Sequence, residues 1–278
     1  MGVKLISSSC MQICCGNRKR ASIRSVTLDQ AQVRELQKFS LEDNCRRSNG
    51  TGAFVFAKIY ERYNDKSICS GVLVHQKFLV TTAICVLNKR PSDLIIKFGT
   101  DQTDEVKEII YHSNFFRSIQ TLQDNIALLM LEGEIYNSEF PCITKTNVDN
   151  SKCHVFSWGN SKSHENYMKI DNVEVLSKGE CYTSHLISSL ITGKRHEKYV
   201  SKGVNNICVG NANRYELDIN SSGAALMCHY KNSSTLTVLK GLLTWSTKIN
   251  FYPHIFTDVS QFGEWIEQTI SEKYLNAV

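Results

Sequence analysis

The chain has 278 residues, 42 % of them apolar and 21 % charged, with 32 Lys+Arg against 27 Asp+Glu. That is ordinary globular usage, and it excludes a disordered tail protein, a collagen-like fibre and a disulfide miniprotein. The net charge of +5 is too mild to point to nucleic acid by itself, and no run reaches the roughly 18 apolar residues that a membrane-spanning helix needs.

In chain order, residues 1–44 read as a poorly structured segment or an atypical leader. They hold Cys10, Cys14, Cys15 and the basic cluster Arg18-Lys19-Arg20, with a short helix expected over Leu28–Phe39. A signal peptide needs an apolar core of about 7–15 residues, and Met1 to Ile6 is too short to supply one. N-myristoylation at Gly2 wants Ser or Thr where Ile6 stands.

From Ala53 onward brief β-type runs alternate with polar turns: Phe54–Tyr60, Phe78–Thr81, Leu94–Phe98, Ile126–Met130, His154–Trp158, Val173–Leu176, Ala224–Tyr230 and Thr235–Leu243. Many short strands without long helical patterns between them read as a sandwich or barrel. The chain closes differently. Phe262, Trp265, Ile266, Thr269 and Ile270 fall on one stripe of an amphipathic helix. The pattern is all-β with a C-terminal α-helix.

Eleven cysteines are more than a reduced cytosolic enzyme usually carries, and none lies in a paired zinc-ligand spacing. Eight of them, Cys45, Cys69, Cys85, Cys142, Cys153, Cys181, Cys208 and Cys228, are spread singly. Scattered, even-numbered cysteines favour disulfides and an oxidising, extracellular compartment.

Four segments carry a resemblance. Cys69-Ser-Gly-Val-Leu-Val-His-Gln-Lys-Phe-Leu-Val-Thr-Thr-Ala-Ile-Cys85 resembles the disulfide-closed segment that bears the catalytic histidine in trypsin/chymotrypsin-like serine proteases. Gln123-Asp-Asn-Ile-Ala-Leu-Leu129 resembles their aspartate-bearing Asn-Asp-Ile-Ala-Leu-Leu strand. Asn220-Ser-Ser-Gly-Ala-Ala-Leu-Met-Cys228 is similar to their Gly-Asp-Ser-Gly-Gly-Pro-Leu-Val-Cys, and Tyr252–Ile266 to their final strand and terminal helix. Order, spacing and cysteines agree over roughly residues 46–275. The finer resemblance is to secreted arthropod members, including their non-catalytic homologues.

The resemblance implies two six-stranded antiparallel β-barrels with the active site between them, in a domain over residues 45–278. It implies the disulfides Cys69–Cys85, Cys153–Cys228, Cys181–Cys208 and Cys45–Cys142. Closing a loop the size of Cys69–Cys85 is worth about 3 kcal/mol on the chain-entropy estimate. The family's bridge beside the specificity pocket is missing, because Asp218 stands where its first cysteine belongs and no cysteine follows Trp245. Cys10, Cys14 and Cys15 are left over and allow a covalent dimer.

Amide hydrolysis in this family needs a serine hydroxyl, an imidazole to take its proton and a carboxylate to orient that imidazole. By resemblance these positions are Ser222, Ile84 and Asn125, so only the hydroxyl is retained. Sliding the alignment to use Asp124 would turn the side chain to the opposite face of a strand, and there is still no histidine to orient. Losing the histidine from such a triad costs on the order of 10⁶ in kcat, about 8 kcal/mol of barrier.

The supporting positions also depart from the pattern. Asn220 replaces the glycine of the oxyanion turn, and Ser221 replaces the aspartate that pairs with the new N-terminus after zymogen cleavage. The cleavage signal is absent too, since Arg46-Arg-Ser-Asn-Gly-Thr-Gly-Ala53 comes after Cys45. His254 stands where the pocket usually has a glycine, Glu216 aligns with the pocket floor, and Trp245 forms a wall. His75 reads as a surface residue in the turn before the Phe78 strand. Sequons begin at Asn49, Asn220 and Asn232, of which Asn49 and Asn232 are the candidates for glycans.

These residues together imply a catalytically inactive serine protease homologue: an extracellular binding or regulatory module, a cofactor or decoy in a proteolytic cascade of immune or clotting type. The alternative is a serine endopeptidase with weak or unconventional activity through Ser222. No cofactor and no metal are expected. The expected partners are extracellular proteins, active serine proteases or their substrates, with no nucleic acid and no membrane span.

Overall fold

A computed structural model of the chain describes residues 39–47, 56–64, 67–99, 102–136, 138–146, 148–158, 167–200, 205–211, 222–231, 236–246 and 253–275. The helix expected over Leu28–Phe39, the leftover cysteines Cys10, Cys14 and Cys15, and the sequons at Asn49, Asn220 and Asn232 lie outside them, Phe39 itself excepted. Residues 40–266 form one unit, and residues 1–39 with 267–278 form a second.

After a short helix α1 (Leu41–Arg47) come six strands: β1 (Phe56–Glu61), β2 (Ser67–His75), β3 (Phe78–Thr81), β4 (Leu94–Phe98), β5 (Gln102–Tyr111) and β6 (Ala127–Leu131). They close antiparallel in the order β1-β2-β3-β6-β5-β4. A four-residue helical turn α2 (Phe115–Ser118) lies between β5 and β6. The second set is β7 (Val148–Trp158), β8 (Tyr167–Val175), β9 (Asn206–Asn211), β10 (Ala225–Tyr230), β11 (Thr237–Trp245) and β12 (His254–Asp258). These close antiparallel in the order β10-β11-β12-β9-β8-β7. Closure leaves neither sheet a free edge. The two six-stranded barrels expected by resemblance are present.

Each barrel is filled by the inward residues of its strands. In β4 the alternation is plain: Leu94, Ile96 and Phe98 are buried while Ile95 and Lys97 are half-exposed, as the period of two requires. Ile59, Leu73, Leu79, Leu94, Ile96 and Leu129 pack together in the first barrel. Val155, Val173, Val209, Leu226, Val238 and Phe256 do so in the second. Each such side chain contributes about 1.5–3 kcal/mol by leaving water. The barrels meet through the Phe56 and Phe156 rings, stacked at 4.7 Å, and through Lys58 Nζ, 4.4 Å over the Trp158 ring.

Two helices complete the fold. One, α3 (Lys178–Thr192), is an addition to the pattern expected from sequence. Its signals are local: Ser177 and Glu180 form a reciprocal capping box, and Gly193 ends the helix at φ 68°. Hydrophobic patterning does not mark it because α3 leaves Leu190 77 % and Ile191 70 % exposed, which blurs the amphipathic stripe. The terminal helix α4 (Gly263–Leu275) buries Ile266 and Ile270 as expected, with Phe262 buried just before it. In the smaller unit the Phe39 N–H donates to Ser271 Oγ at 3.1 Å. No described helix is long and apolar enough to cross a membrane.

Candidate functional site

The site begins where β3 ends. Thr81 Oγ1 donates to the Ser70 carbonyl at 2.7 Å, and a 3₁₀ turn, Ala83–Val86, comes directly after it. The disulfide Cys69–Cys85 ties that turn back to β2. Three residues per turn place Ala83 and Val86 inward, while Ile84 is 37 % exposed. A branched hydrocarbon therefore faces outward where the resemblance puts a base.

The main-chain N–H of Ile84 donates to Asn125 Oδ1 at 2.8 Å. Asn125 is fully buried, and its Nδ2 donates to Thr244 Oγ1 at 3.4 Å. The amide is matched at both ends, its oxygen by an N–H and its nitrogen by a hydroxyl. Thr257 Oγ1 lies 2.7 Å from Thr244 Oγ1 and donates to the Asn125 carbonyl at 3.2 Å. Asp124 faces elsewhere. It sits at φ 53°, and its Oδ1 accepts from Asn205 Nδ2 at 3.3 Å. The side chain that meets Ile84 is thus Asn125 and not Asp124.

Ser222 opens the turn before β10. Its carbonyl accepts the Ser70 N–H at 2.8 Å, and the Gly223 N–H donates to the Leu243 carbonyl at 2.8 Å. Gly223 takes φ +82°, and a Cβ there would fall 2.0 Å from the Ser70 carbonyl oxygen, so glycine is required. Ser222 Oγ lies 3.0 Å from Thr82 Oγ1 and 3.4 Å from the Leu243 carbonyl oxygen. A threonine hydroxyl can exchange a hydrogen bond with a serine but cannot hold its proton at neutral pH. Among the described residues, the Thr82 hydroxyl and the Leu243 carbonyl are the hydrogen-bond partners of the Ser222 hydroxyl.

In the second barrel β11 and β12 pair Trp245 with Ile255. Beside them His254 Nδ1 and Ser246 Oγ, both buried, are 3.1 Å apart. The Trp245 ring centroid lies 6.1 Å from that of His185 and 5.7 Å from that of Tyr199. His254 thus occupies space beside Trp245 with its ring engaged by Ser246. Asn220, Ser221 and Glu216 lie outside the described residues.

The disulfides are Cys45–Cys142, Cys69–Cys85, Cys153–Cys228 and Cys181–Cys208, the same pairs the resemblance implies. Ligand atoms of Cys181, His185 and Cys208 come within 4.8 Å of one another. With both sulfurs joined to each other, that cluster offers no thiolate.

His75 is a partial correction. It ends β2, and its ring packs 5.6 Å from Phe78 and 6.4 Å from Phe140. Burial pushes its pKa down to about 4. Its Nδ1 accepts the Lys77 N–H at 3.2 Å, as a neutral ring can. The reading as a surface residue holds only in part: His75 is half-buried, under rings that come from β3 and from residue 140, far along the chain.

Sequence reasoning missed Thr82, Thr244, Ser246 and Thr257, the hydroxyls that surround Ser222, Asn125 and His254. The signal for Thr82 lies in the Cys69–Cys85 segment, where it is the next residue after Thr81. Thr244 and Thr257 lie in β11 and β12, and Ser246 directly follows β11, all outside the runs marked by hydrophobicity.

The chain has distant curated relatives. It is 22 % identical over 252 residues to tissue-type plasminogen activator of Mus musculus, covering 79 % of this chain and 42 % of that protein. It is 22 % identical over 228 residues to inactive CLIP domain-containing serine protease A28 of Anopheles gambiae, covering 75 % of this chain and 57 % of that one. With coagulation factor XII of Sus scrofa it shares 21 % over 235 residues, 74 % of this chain and 36 % of that one. The chain thus spans between 36 % and 57 % of the length of these relatives. The trypsin family matches residues 44–266. With two closed barrels of six strands and a match over most of its length, the chain belongs to the trypsin family.

Proposed function

We propose that this trypsin-family domain is catalytically inactive and works as an extracellular binding or regulatory module. The observation that carries the reading is the environment of Ser222. Its hydroxyl meets a threonine hydroxyl at 3.0 Å and a carbonyl oxygen, and Ile84 stands where the family mechanism needs an imidazole. The would-be orienting group is a neutral amide bonded to the Ile84 N–H. Without a proton acceptor the serine cannot become a nucleophile. The buried pair of His254 and Ser246, 3.1 Å apart, supports the same reading, because by resemblance His254 stands where the specificity pocket usually has a glycine and its ring would partly fill that slot.

Such a module acts by contact, as a cofactor or decoy for an active serine protease or its substrate. One relative carries the description inactive, and another is a coagulation factor. The first description supports the inactive reading, and the second supports a role in a clotting-type cascade. A fluorophosphonate probe tests the reading directly. Under conditions that fully label an active trypsin-family protease, Ser222 stays unlabelled at neutral pH. Stoichiometric labelling of Ser222 overturns it and favours the endopeptidase alternative.

A further inference from the structure

We propose that the outer face of the second barrel holds a zinc site formed by His154 and His229, with Asp171 as the partner that orients His154. Sequence reading expects no metal, because the two histidines are far apart in the chain and neither lies in a ligand-spaced motif. The sheet brings them together.

Cys153 and Cys228 are Cα partners across β7 and β10 and are joined as a disulfide. Both face the barrel core, with Val155 and Leu226. The residue after each cysteine therefore points to the opposite face. Those residues are His154 and His229. A register shift after Cys228 sets His229 opposite Asp149. The covalent bond between the preceding residues ties the two strands together beside the imidazoles.

Their Nε2 atoms are 3.2 Å apart, and their rings are inclined at 76° with centroids 5.3 Å apart. Two nitrogens on one tetrahedral zinc, each at about 2.0–2.1 Å, stand about 3.3 Å from one another. The pair already has the spacing of two ligands on one ion. Asp171 Oδ1 lies 2.6 Å from His154 Nδ1, a carboxylate beside the nitrogen that the zinc would not use. A carboxylate behind a histidine is how metal sites commonly fix ring orientation and raise ligand basicity. Lys169 Nζ, 2.8 Å from the same oxygen, holds the carboxylate from the solvent side. Without metal, one Nε2 donates to the other. On binding, that ring takes its other neutral tautomer, and solvent fills the remaining coordination positions.

The test is zinc titration of the full, oxidised chain, with Cys10, Cys14 and Cys15 blocked by alkylation so that stray thiols do not compete. Affinity is read by competition with a chromophoric chelator, and the ring protons of His154 and His229 by NMR. The expected result is one zinc per chain, broadened or shifted signals from both histidines, and a similar response to nickel but not to magnesium. His154→Gln or His229→Gln weakens binding at least about tenfold, since it removes one of two protein ligands. Asp171→Asn weakens it about 10–100-fold while leaving both ligands in place. Circular dichroism confirms that each variant is folded. Unchanged zinc affinity in the folded His154→Gln/His229→Gln variant overturns the site, as does an absence of stoichiometric binding to the unmodified chain.

Discussion

Asn125 Oδ1 accepts the main-chain N–H of Ile84 at 2.8 Å. An acceptor in this place serves two donors in a working triad, a main-chain amide and an imidazole. Among the described residues, Asn125 Oδ1 accepts from the Ile84 N–H alone. Because a triad acts as a unit, single replacements should restore little. The combined change Ile84→His/Asn125→Asp should raise fluorophosphonate labelling of Ser222 by about 100-fold or more over either single variant, whereas independent effects would merely multiply. Labelling rates of the three variants, with circular dichroism to confirm folding, check this. Equal rates for single and double variants would contradict it.

Removing the amide tests its structural role. Asn125→Leu leaves the Ile84 N–H without its side-chain acceptor, and a buried donor left unsatisfied costs about 1–3 kcal/mol. Denaturant unfolding should show that loss, whereas Asp124→Asn, which can still accept from Asn205, should cost less.

The turn at Gly223 tolerates no side chain. With φ at +82° and the Ser70 oxygen 2.0 Å from an added Cβ, Gly223→Ala must displace β2 or the turn. A loss above about 3 kcal/mol, in the range of severe single substitutions, is expected in equilibrium unfolding. A loss below about 1 kcal/mol, the size of an ordinary substitution, would mean that the two barrels approach each other less closely at this point.

His75 gives stability a pH dependence of definite sign. Unfolded, an imidazole titrates near 6.5; folded, burial and nearby Lys77 hold this one at about 4. Between those values the unfolded chain binds the extra proton. The stabilisation is therefore full above about pH 6.5 and falls as pH drops towards 4, by at most about 1.4 kcal/mol per pH unit. His112 and His154 are lowered by burial in the same direction. His75→Phe should therefore reduce the slope without abolishing it, and an unchanged slope would contradict the assignment.

Lys240 Nζ lies 3.0 and 3.1 Å from the two carboxylate oxygens of Asp258, with both residues buried. Lys240→Met should cost about 3–5 kcal/mol by leaving a buried charge without its partner. Lys240→Met/Asp258→Leu should recover part of that in thermal unfolding. A double variant no more stable than the single would mean that Asp258 matters chiefly through Ser260, whose N–H and hydroxyl it also accepts.

Much of the architecture was legible in local pattern. The β4 alternation, the cysteine positions and the stripe on α4 are short-range signals, and the structure places them as the sequence suggests. Other elements were harder. β5 is polar along most of its length and half-exposed, so hydrophobicity alone does not mark it. The 15-residue α3 carried caps but an indistinct apolar face. At the site, Ser222, Ile84 and Asn125 were legible by resemblance. The contact between Thr82 and Ser222 spans 140 positions and exists only once the barrels close. The same holds for His154 beside His229, where strand pairing and a disulfide create a neighbour that the linear chain does not show.

The central claim is that this domain has the family's scaffold and surviving hydroxyl without a group to take the proton. Incubation of the purified chain with a diverse peptide library at neutral to mildly alkaline pH, against a Ser222→Ala control, tests it most directly. The account predicts that mass spectrometry finds the same trace cleavage in both samples. Cleavage by the unmodified chain that disappears in Ser222→Ala would contradict it.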